Sequence, residues 1–351
     1  DFGDLPLFEA TAYPMVIVFA KGQPGDGQAL HALEVEDLGD VDHLTEAVRS
    51  RAWAQPQISL RADGWALVRP DVRALMRKLR EAGTPLAEYV KGRFYYGIKT
   101  GLNEAFVIDG ATRDRLVAED PRSAEIIRPW LRGRDVKRWR VEWGGEYLIA
   151  IQNSGDADAR NPWAEAADEA EARAVFERCY PAVHAHLSRY EDALRKRWDQ
   201  GRYWWELRAC RYYSEFAKPK IIYPDIAKEC QFAFDEGGFV PDCTLFIVPM
   251  PDMYLLGLLN SRVLHWFIGN VSPAIQHGFL RFKQIYLERM PIAVASSAQR
   301  HRVETAVREL LQLVGDEVDA SACESEINQL VYSLYGLDDA EVAIIEEKTA
   351  V

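Results

Sequence analysis

Cysteines are few in this chain, and long apolar runs are missing. Its 351 residues include five cysteines, which are widely spaced and form no Cys-x-x-Cys pair. We therefore expect reduced thiols and no structural zinc. The longest apolar stretch, residues 15–20, is much shorter than the roughly 18 residues that cross a bilayer. The chain begins at Asp1 without an initiator methionine or a basic leader, so we expect a piece of a longer cytoplasmic protein.

Basic and acidic residues are unevenly distributed. The net charge of −12, taken alone, argues against a nucleic-acid partner. However, residues 90–140 hold twelve basic and seven acidic side chains, residues 184–222 hold nine and five, and residues 262–290 hold four and one. Basic segments in an acidic body are what a one-sided nucleic-acid surface requires. The alternative is that these charges form ordinary solvated faces.

A polar turn flanked by glycines occupies residues 97–103. Gly97 and Gly101 allow the backbone to approach a partner closely. Lys99, Thr100 and Asn103 are predicted to present hydrogen-bond donors at the rim of this turn, before an apolar strand at residues 105–108. The alternative is a hairpin turn that leads into a core strand.

Basic and aromatic residues alternate in residues 202–208. Such mixtures stack on bases and pair with phosphates, which makes Arg202 and Arg208 candidate phosphate contacts. The alternative is that Trp204 and Trp205 face opposite sides of a strand, one in the core and one at a surface.

A second candidate contact loop covers residues 272–283. Gln276, His277 and Arg281 have side chains that address base edges, since Gln pairs with adenine and Arg with guanine. Gly278 permits close approach. The alternative is that Gln276 and His277 cap a helix or a turn.

Several motifs occur in a fixed order along the chain: Gly-Ile-Lys-Thr-Gly-Leu-Asn-Glu-Ala-Phe-Val-Ile-Asp at 97–109, Ile-Ile-Arg-Pro-Trp-Leu-Arg-Gly-Arg-Asp at 126–135, Lys-Pro-Lys-Ile-Ile-Tyr-Pro-Asp at 218–225 and Leu-Leu-Asn-Ser at 258–261. With these motifs, residues 85–295 resemble the target-recognition (specificity) region of TaqI-like adenine-specific DNA methyltransferases and type IIG restriction–modification enzymes. The resemblance implies a mixed α/β (α+β) fold that recognises a specific sequence in double-stranded DNA.

The resemblance also implies an organisation in four segments. Residues 1–68 are expected to be the C-terminal remnant of a methyltransferase catalytic domain and a linker, with two short strands in 5–21 and Phe8 or Tyr13 beside the target base. Residues 22–40 are expected to hold one short strand. Residues 69–88 form a connecting helix, residues 89–295 the recognition domain, and residues 296–351 a C-terminal helical segment.

Apolar periodicity predicts individual helices within these segments. Val72, Leu75, Met76 and Leu79 recur at helical spacing in residues 70–82, and Gly83 ends the pattern. The same periodicity predicts helices at 299–314 and 327–335, and Gly336 ends the second one. Residues 162–186 and 191–200 are also predicted to be helical.

The expected catalytic motifs are missing. The sequence has neither an Asn-Pro-Pro-Tyr/Phe motif nor a Gly-rich strand–helix turn for S-adenosylmethionine. A nuclease would need more than the half-motifs Pro224-Asp225 and Pro241-Asp242. We therefore predict no catalytic residue, no metal site and no cofactor in this fragment. The parent would use S-adenosylmethionine, and Mg²⁺ only if it also cleaves DNA.

The expected partners are double-stranded DNA and the missing N-terminal methyltransferase domain, with no membrane. Phosphate contacts are expected to outnumber base contacts in residues 132–138. Alternatives are a protein–protein scaffold in a phage-defence complex and, less favoured, an endonuclease. The predicted DNA-binding residues are Lys99, Thr100, Asn103, Arg132, Arg134, Lys137, Arg138, Arg202, Arg208, Gln276, His277, Arg281 and Lys283.

Overall fold

A computed structural model describes residues 1–2, 5, 7, 14–22, 25, 27–35, 37–60, 67–275 and 278–349. Within these residues the fold is mixed α/β, as predicted. Phe8 and Tyr13, the expected aromatics beside a target base, lie outside the described residues, and so do Gln276 and His277. No helix in the described ranges is long and apolar enough to cross a membrane.

The strands are short. They are β1 (Ala29–Ala32), β2 (Trp53–Pro56), β3 (Gly83–Pro85), β4 (Tyr95–Tyr96), β5 (Val107–Ile108), β6 (Ile127–Leu131), β7 (Tyr147–Ile149), β8 (Lys220–Pro224), β9 (Ile226–Ala227), β10 (Ala233–Asp235), β11 (Val240–Pro241), β12 (Leu245–Val248), β13 (Ala274–Ile275), β14 (Phe279–Arg281) and β15 (Pro291–Ala293). Two sheets have four strands, in the orders β10-β8-β12-β4 and β11-β6-β7-β5. Smaller sheets are formed by β13-β14-β9, β1-β2 and β15-β3.

The helices connect and cover these sheets. They are α1 (Gly39–Asp42), α2 (Leu44–Arg51), α3 (Pro70–Ala82), α4 (Leu86–Tyr89), α5 (Asn103–Phe106), α6 (Gly110–Glu119), α7 (Glu169–Cys179), α8 (Pro181–Ser188), α9 (Glu191–Leu194), α10 (Met253–Leu259), α11 (Arg262–Gly269), α12 (Gln284–Leu287), α13 (Ser297–Gly315), α14 (Ser321–Leu334) and α15 (Asp339–Thr349). Short 3₁₀ helices occupy Gln57–Ser59, Pro121–Glu125, Gly133–Asp135 and Tyr213–Ala217.

The β10-β8-β12-β4 sheet lies between two hydrophobic cores. Successive side chains of a strand point to opposite faces. In β8, Ile221 and Tyr223 belong to one core and Ile222 to the other. In β12, Val248 belongs to the first core and Ile247 to the second. Both faces of this sheet are therefore buried, which explains the nearly continuous apolar sequence of its central strands.

The first core is built mainly from helices α3, α10, α11, α13 and α14. Gly257 of α10 faces α13, and a Cβ atom at this position would lie 2.8 Å from a methyl group of Val307. The missing side chain therefore lets the two helices pack closely. The second core combines β6 and β7 with α7, α8 and a group of buried aromatic rings.

The periodicity predictions for three helices are confirmed. Helix α3 spans residues 70–82 and buries Val72, Leu75, Met76 and Leu79, and Gly83 follows it. Helix α13 begins at a capping box between Ser296 and Gln299, and α14 covers the second predicted C-terminal helix. Gly336 then takes a φ of 60°, which suits glycine. Helix α15 was not predicted.

Several other element predictions are wrong. Residues 14–21, which hold the second of the two strands expected in 5–21, form no strand, and residues 6, 8 and 9 of the first lie outside the described residues. A strand needs a neighbour for its backbone groups, and within the described chain no strand pairs with this segment. Residues 162–168 are not helical, and the helix expected at 191–200 is limited to Glu191–Leu194. Strand β1 is the short strand expected in residues 22–40.

The predicted strand at 105–108 is a helical turn followed by a short strand. Asn103–Phe106 form α5, and only Val107–Ile108 form β5. The turn buries Ala105 and Phe106, and His186 of α8 contacts the Ala105 carbonyl at 3.0 Å. Packing against α8 therefore overrides the extended pattern of the sequence.

Candidate nucleic-acid interface

Residues 242–244 form a turn, called here the central turn, that joins several predicted contact segments. The Asp242 carboxylate accepts hydrogen bonds from the Thr244 backbone N–H at 2.8 Å and from its hydroxyl at 2.5 Å. The Thr244 hydroxyl oxygen accepts from the Gly133 N–H at 3.0 Å. The Thr244 carbonyl accepts from the Asp225 N–H at 2.9 Å. Burial raises the pKa of Asp242.

The turn at 97–103 packs directly on the central turn. The Ile98 N–H donates to the Pro241 carbonyl at 2.8 Å. A Cβ atom on Gly97 would lie 2.0 Å from the Asp242 carbonyl oxygen, so only glycine fits at this position. Lys99 is exposed. Burial raises the pKa of the Cys243 thiol, and the charge of Lys99 opposes that increase. The Lys99 ammonium group therefore lies near the central turn.

Thr100 supports this turn from inside. Its side chain is buried, and its hydroxyl donates to the Asn103 side-chain carbonyl at 2.6 Å and accepts from the Leu102 N–H at 3.2 Å. This corrects the prediction that Thr100 presents a donor at the rim, because the hydroxyl already has partners within the turn. Asn103 is exposed, as expected.

The basic side chains of residues 132–138 differ in their roles: some form contacts within the protein and others are exposed. Arg132 forms a bidentate ion pair with Glu146, in which the Arg132 Nη2 atom lies 2.9 Å from a carboxylate oxygen of Glu146. Arg134 remains 69% exposed, with Glu146 at 3.8 Å. Because the Gly133 N–H binds Thr244, the backbone of Arg134 follows directly after a contact with the central turn. Lys137 donates to the Arg134 carbonyl at 2.7 Å.

Arg138 is directed toward the C-terminal helices. Its guanidinium donates to the Asn260 carbonyl at 2.9 Å and pairs with Glu324 of α14 at 3.1 Å. The indole N–H of Trp139 also donates to Glu324, at 2.6 Å. Arg138 thus connects residues 132–138 to α14. This corrects the prediction that Arg138 contacts DNA together with the exposed cations of this segment.

Residues 281–283 reach the same side of the molecule through Asp225. The Phe282 N–H donates to the Asp225 carbonyl at 2.7 Å, and the Asp225 carboxylate pairs with Arg281 at 3.0 Å. Lys283 is exposed immediately after them. Since Asp225 also binds Thr244, Lys283 belongs to the surface around the central turn, whereas the Arg281 charge is partly neutralised.

The basic–aromatic segment 202–208 belongs to the second core. Trp204 and Trp205 are 2% and 0% exposed, and neither lies in a strand, so the predicted division between core and surface is wrong. The reason is the buried Glu206 carboxylate, which accepts from the Trp163 indole at 2.8 Å and the Tyr203 N–H at 3.2 Å and so folds the segment inward.

The two arginines at the ends of this segment have structural partners. Arg202 donates to the carbonyls of Ala164 and Ala166, at 2.9 and 3.3 Å. Arg208 pairs with Asp199 at 3.1 Å. Their guanidinium groups hold loops of the chain together, which corrects the expectation that they are available chiefly for phosphates.

Trp198 is a surface residue that the sequence patterns did not single out. It is 97% exposed, on the loop after α9. The sequence around Trp198 shows only an aromatic residue flanked by the charged residues Lys196, Arg197 and Asp199. This pattern is too short to distinguish a core ring from a surface ring.

The described residues offer cations and hydrogen-bond donors at this surface. Among them, no cluster of three or more His, Cys, Asp or Glu side chains is arranged to hold a metal ion. His186 is buried, and its ring contacts the Ala105 carbonyl and Arg189. Asp225 and Asp242, from the two half-motifs considered for a nuclease, are engaged in the contacts around the central turn. The arrangement is suited to binding an anionic partner.

Comparisons with known proteins agree with this arrangement. Residues 128–292 match the family model of the TaqI-like C-terminal specificity domain. The chain is 26% identical, over 97% of its length and 56% of the relative's, to the type II methyltransferase M.PaeR7I of Pseudomonas aeruginosa. It is 27% identical, over 81% of its length and 47% of the relative's, to M.XhoI of Xanthomonas vasicola. The chain therefore spans about half the length of these relatives.

A solved structure shares the fold. The type IIL restriction–modification enzyme MmeI, determined in complex with DNA, superposes with a TM-score of 0.54 at 13% identity, covering 93% of this chain and 41% of that one.

The region that the family model matches defines a specificity domain. More specifically, the chain carries a TaqI-like C-terminal specificity domain, and the resemblance predicted from the ordered motifs is confirmed. Neither the scaffold nor the endonuclease alternative receives support from these findings.

Proposed function

We propose that this chain recognises a specific sequence in double-stranded DNA through the surface around the central turn. The observation that carries the proposal is the convergence of three segments that are distant in sequence and that carry the exposed cations Lys99, Arg134 and Lys283. Lys99 and Arg134 lie within motifs of the resemblance, and Lys283 lies in the second predicted contact loop. Residues next to Lys99 and Arg134 contact residues 242–244 directly, and the residue before Lys283 is connected to them through Asp225. Exposed cations of this kind suit phosphate contacts, which position a protein on the duplex.

We propose further that the parent protein is an adenine-specific DNA methyltransferase of the cytoplasm. The type II methyltransferase relatives and their roughly twofold greater length support this proposal. The described residues do not fit S-adenosylmethionine, because their one parallel strand pair, β6–β11, is not followed by a Gly-rich turn and helix. The methyl donor would therefore bind to the missing N-terminal domain, and Mg²⁺ would be needed only if the parent also cleaves DNA.

The N-terminal region supports a contact with that missing domain. Met15, Val16, Ile17 and Val18 are 52%, 69%, 47% and 90% exposed, although all four are apolar. A contiguous exposed apolar stretch usually marks an interaction surface. We propose that this stretch packs against the catalytic domain of the parent protein. The four-segment division at 68, 88 and 295 is likewise a proposal.

The test is selection from a randomised duplex library at two salt concentrations, followed by sequencing of the retained DNA. Enrichment of one short motif that contains adenine is the expected result. Affinity should fall steeply with salt, because bound phosphates release counterions. No retention of DNA at low salt would overturn the proposal, and so would retention without any enriched motif.

Single lysine substitutions test the location of the surface. Lys99→Ala and Lys283→Ala should each weaken binding to all sequences alike and reduce the salt slope by about one. Lys348→Ala removes an exposed lysine from α15 and is the matched control, with an unchanged slope expected. If all three variants behave alike, DNA does not bind around the central turn.

A further inference from the structure

Trp198 exposes an unusually large apolar surface. Its side chain is 97% exposed, whereas Trp130, Trp163, Trp204, Trp205 and Trp266 are almost fully buried. Tryptophan is normally highly buried because its ring contributes a large hydrophobic area. A tryptophan left in solvent gains nothing from folding, so a partner for the ring is to be sought outside the described chain.

The loop that carries Trp198 is anchored to the turn at 97–103. The adjacent Arg197 is buried, and its guanidinium donates to the Thr100 carbonyl at 2.5 Å and the Trp204 carbonyl at 2.9 Å. Burial lowers the pKa of Arg197 to about 10. A Cβ atom on Gly101 would lie 3.0 Å from the Asp199 carbonyl oxygen, so the two loops are in direct contact. Trp198 therefore lies on a loop that is anchored to the turn that carries Lys99.

The charges near Trp198 favour an anionic partner. Lys99 is exposed on the neighbouring turn, and Lys196 is exposed two residues before Trp198. Asp199, the adjacent carboxylate, is paired with Arg208. The Asp242 carboxylate accepts a hydrogen bond from Thr244 within the central turn. An exposed aromatic ring on a loop with one exposed lysine, next to a turn with another, fits a nucleic acid, whose phosphates meet the lysines and whose bases stack on the ring.

We propose that Trp198 stacks on a nucleobase of the bound DNA. This inference rests on the proposed function and adds to it a base contact that the family motifs do not mark. Stacking on an aromatic side chain does not require one particular base, since every base has a π-face. A large side chain inserted at a base step also unstacks and bends the duplex. Trp198 would then hold an opened or distorted step beside the phosphates bound by Lys99.

Three substitutions at Trp198 test the inference in the full chain. Trp198→Ala should weaken DNA binding about 5- to 150-fold, as removal of a stacking ring does. Trp198→Phe, which keeps an aromatic face, should retain most of the affinity, and Trp198→Leu, which keeps apolar area alone, should lose as much as alanine. All three should unfold at the temperature of the unsubstituted chain, because the ring is exposed.

The salt dependence distinguishes this contact from the proposed function. Trp198→Ala should lower affinity without changing the salt slope, whereas Lys99→Ala should reduce the slope by about one. Equal affinity of Trp198→Ala and the unsubstituted chain would overturn the stacking contact and leave the recognition function intact. Equal affinity of Trp198→Leu and Trp198→Phe would also overturn it. Failure of the unsubstituted chain to bind any duplex would overturn both proposals.

Discussion

Glu206 illustrates how one buried carboxylate determines a local structure. Its side chain is completely buried and accepts hydrogen bonds from the Trp163 indole, the Tyr203 N–H and the Ser154 N–H, at 2.8, 3.2 and 3.1 Å. A buried charge is tolerated only where hydrogen bonds replace its hydration. These donors come from two loops and the core, so the carboxylate holds the three together.

Removing that carboxylate should destabilise the fold. Glu206→Ala leaves several buried donors without an acceptor, and we expect a loss of about 3 kcal/mol in the free energy of unfolding, measured by urea denaturation. Glu165→Ala, at an exposed position nearby in sequence, is the control and should change stability by less than about 0.5 kcal/mol. Similar midpoints for the two variants would show that the Glu206 contacts contribute little.

His265 should make stability depend on pH. Burial, with a smaller contribution from Arg138, lowers the pKa of His265 to about 4, below the ordinary value of 6.5. The unfolded chain therefore binds a proton at His265 before the folded chain does, and stability falls as pH decreases from 6.5 to about 4. We expect this residue to account for roughly 2–3 kcal/mol over that range.

Unfolding free energies between pH 7 and pH 4 measure this contribution. His265→Gln should reduce the loss of stability at low pH, and His301→Gln, at an exposed position on α13, should follow the profile of the unsubstituted chain. Burial also lowers the pKa values of His184 and His186, so part of the dependence should persist in every variant. Parallel profiles for His265→Gln and the unsubstituted chain would contradict the prediction.

At the scale of elements, the turn at 97–103 depends on a glycine without space for a side chain. In Gly97→Ala the new Cβ would meet the Asp242 and Pro241 carbonyl oxygens, at 2.0 and 2.4 Å. Backbone atoms cannot move aside cheaply, so we expect a loss of at least about 2 kcal/mol in stability and weaker DNA binding. Gly315→Ala, where no atom lies within 4 Å, is the control and should be neutral or slightly stabilising.

Helices that bury a single face could be predicted from the sequence, whereas segments whose conformation depends on contacts with residues far away in the chain could not. The apolar spacing in α3, α13 and α14 identifies a single buried face, and all three helices are present. The expected arrangement of Trp204 and Trp205 failed because Glu206 and Trp163 draw both rings inward. Local spacing carries no information about such partners.

Contacts with residues far away in the chain also limit how well the candidate nucleic-acid interface can be predicted from the sequence. Lys99, Arg134 and Lys283 were identified from their sequence segments, and the central turn brings these segments together. Arg132, Arg138 and Arg281 belong to the predicted contact segments too, but they form ion pairs with Glu146, Glu324 and Asp225. Two of these carboxylates are more than 50 residues away in the chain, so the sequence could not separate structural from available arginines.

At the scale of the whole molecule, the C-terminal helices complete the first core. Val303, Val307 and Leu310 of α13 are buried there together with residues of α3 and α10. Truncation after residue 295 would expose this surface. We expect the shortened chain to unfold at a much lower temperature and to bind a hydrophobic dye, and an unchanged melting temperature would show instead that residues 296–351 are separable.

The two four-stranded sheets determine how long a segment must be transferred if the proposed DNA recognition is to be moved to another protein. The region matched by the family model begins at residue 128, but β4 and β5 precede it, and each completes a four-stranded sheet by pairing with a strand inside it. A transplant of residues 128–292 alone would carry two sheets with a missing edge strand and leave behind Lys99. The transferable unit is therefore longer than the region matched by the family model: it begins no later than α3, whose apolar face belongs to the first core, and continues through α14.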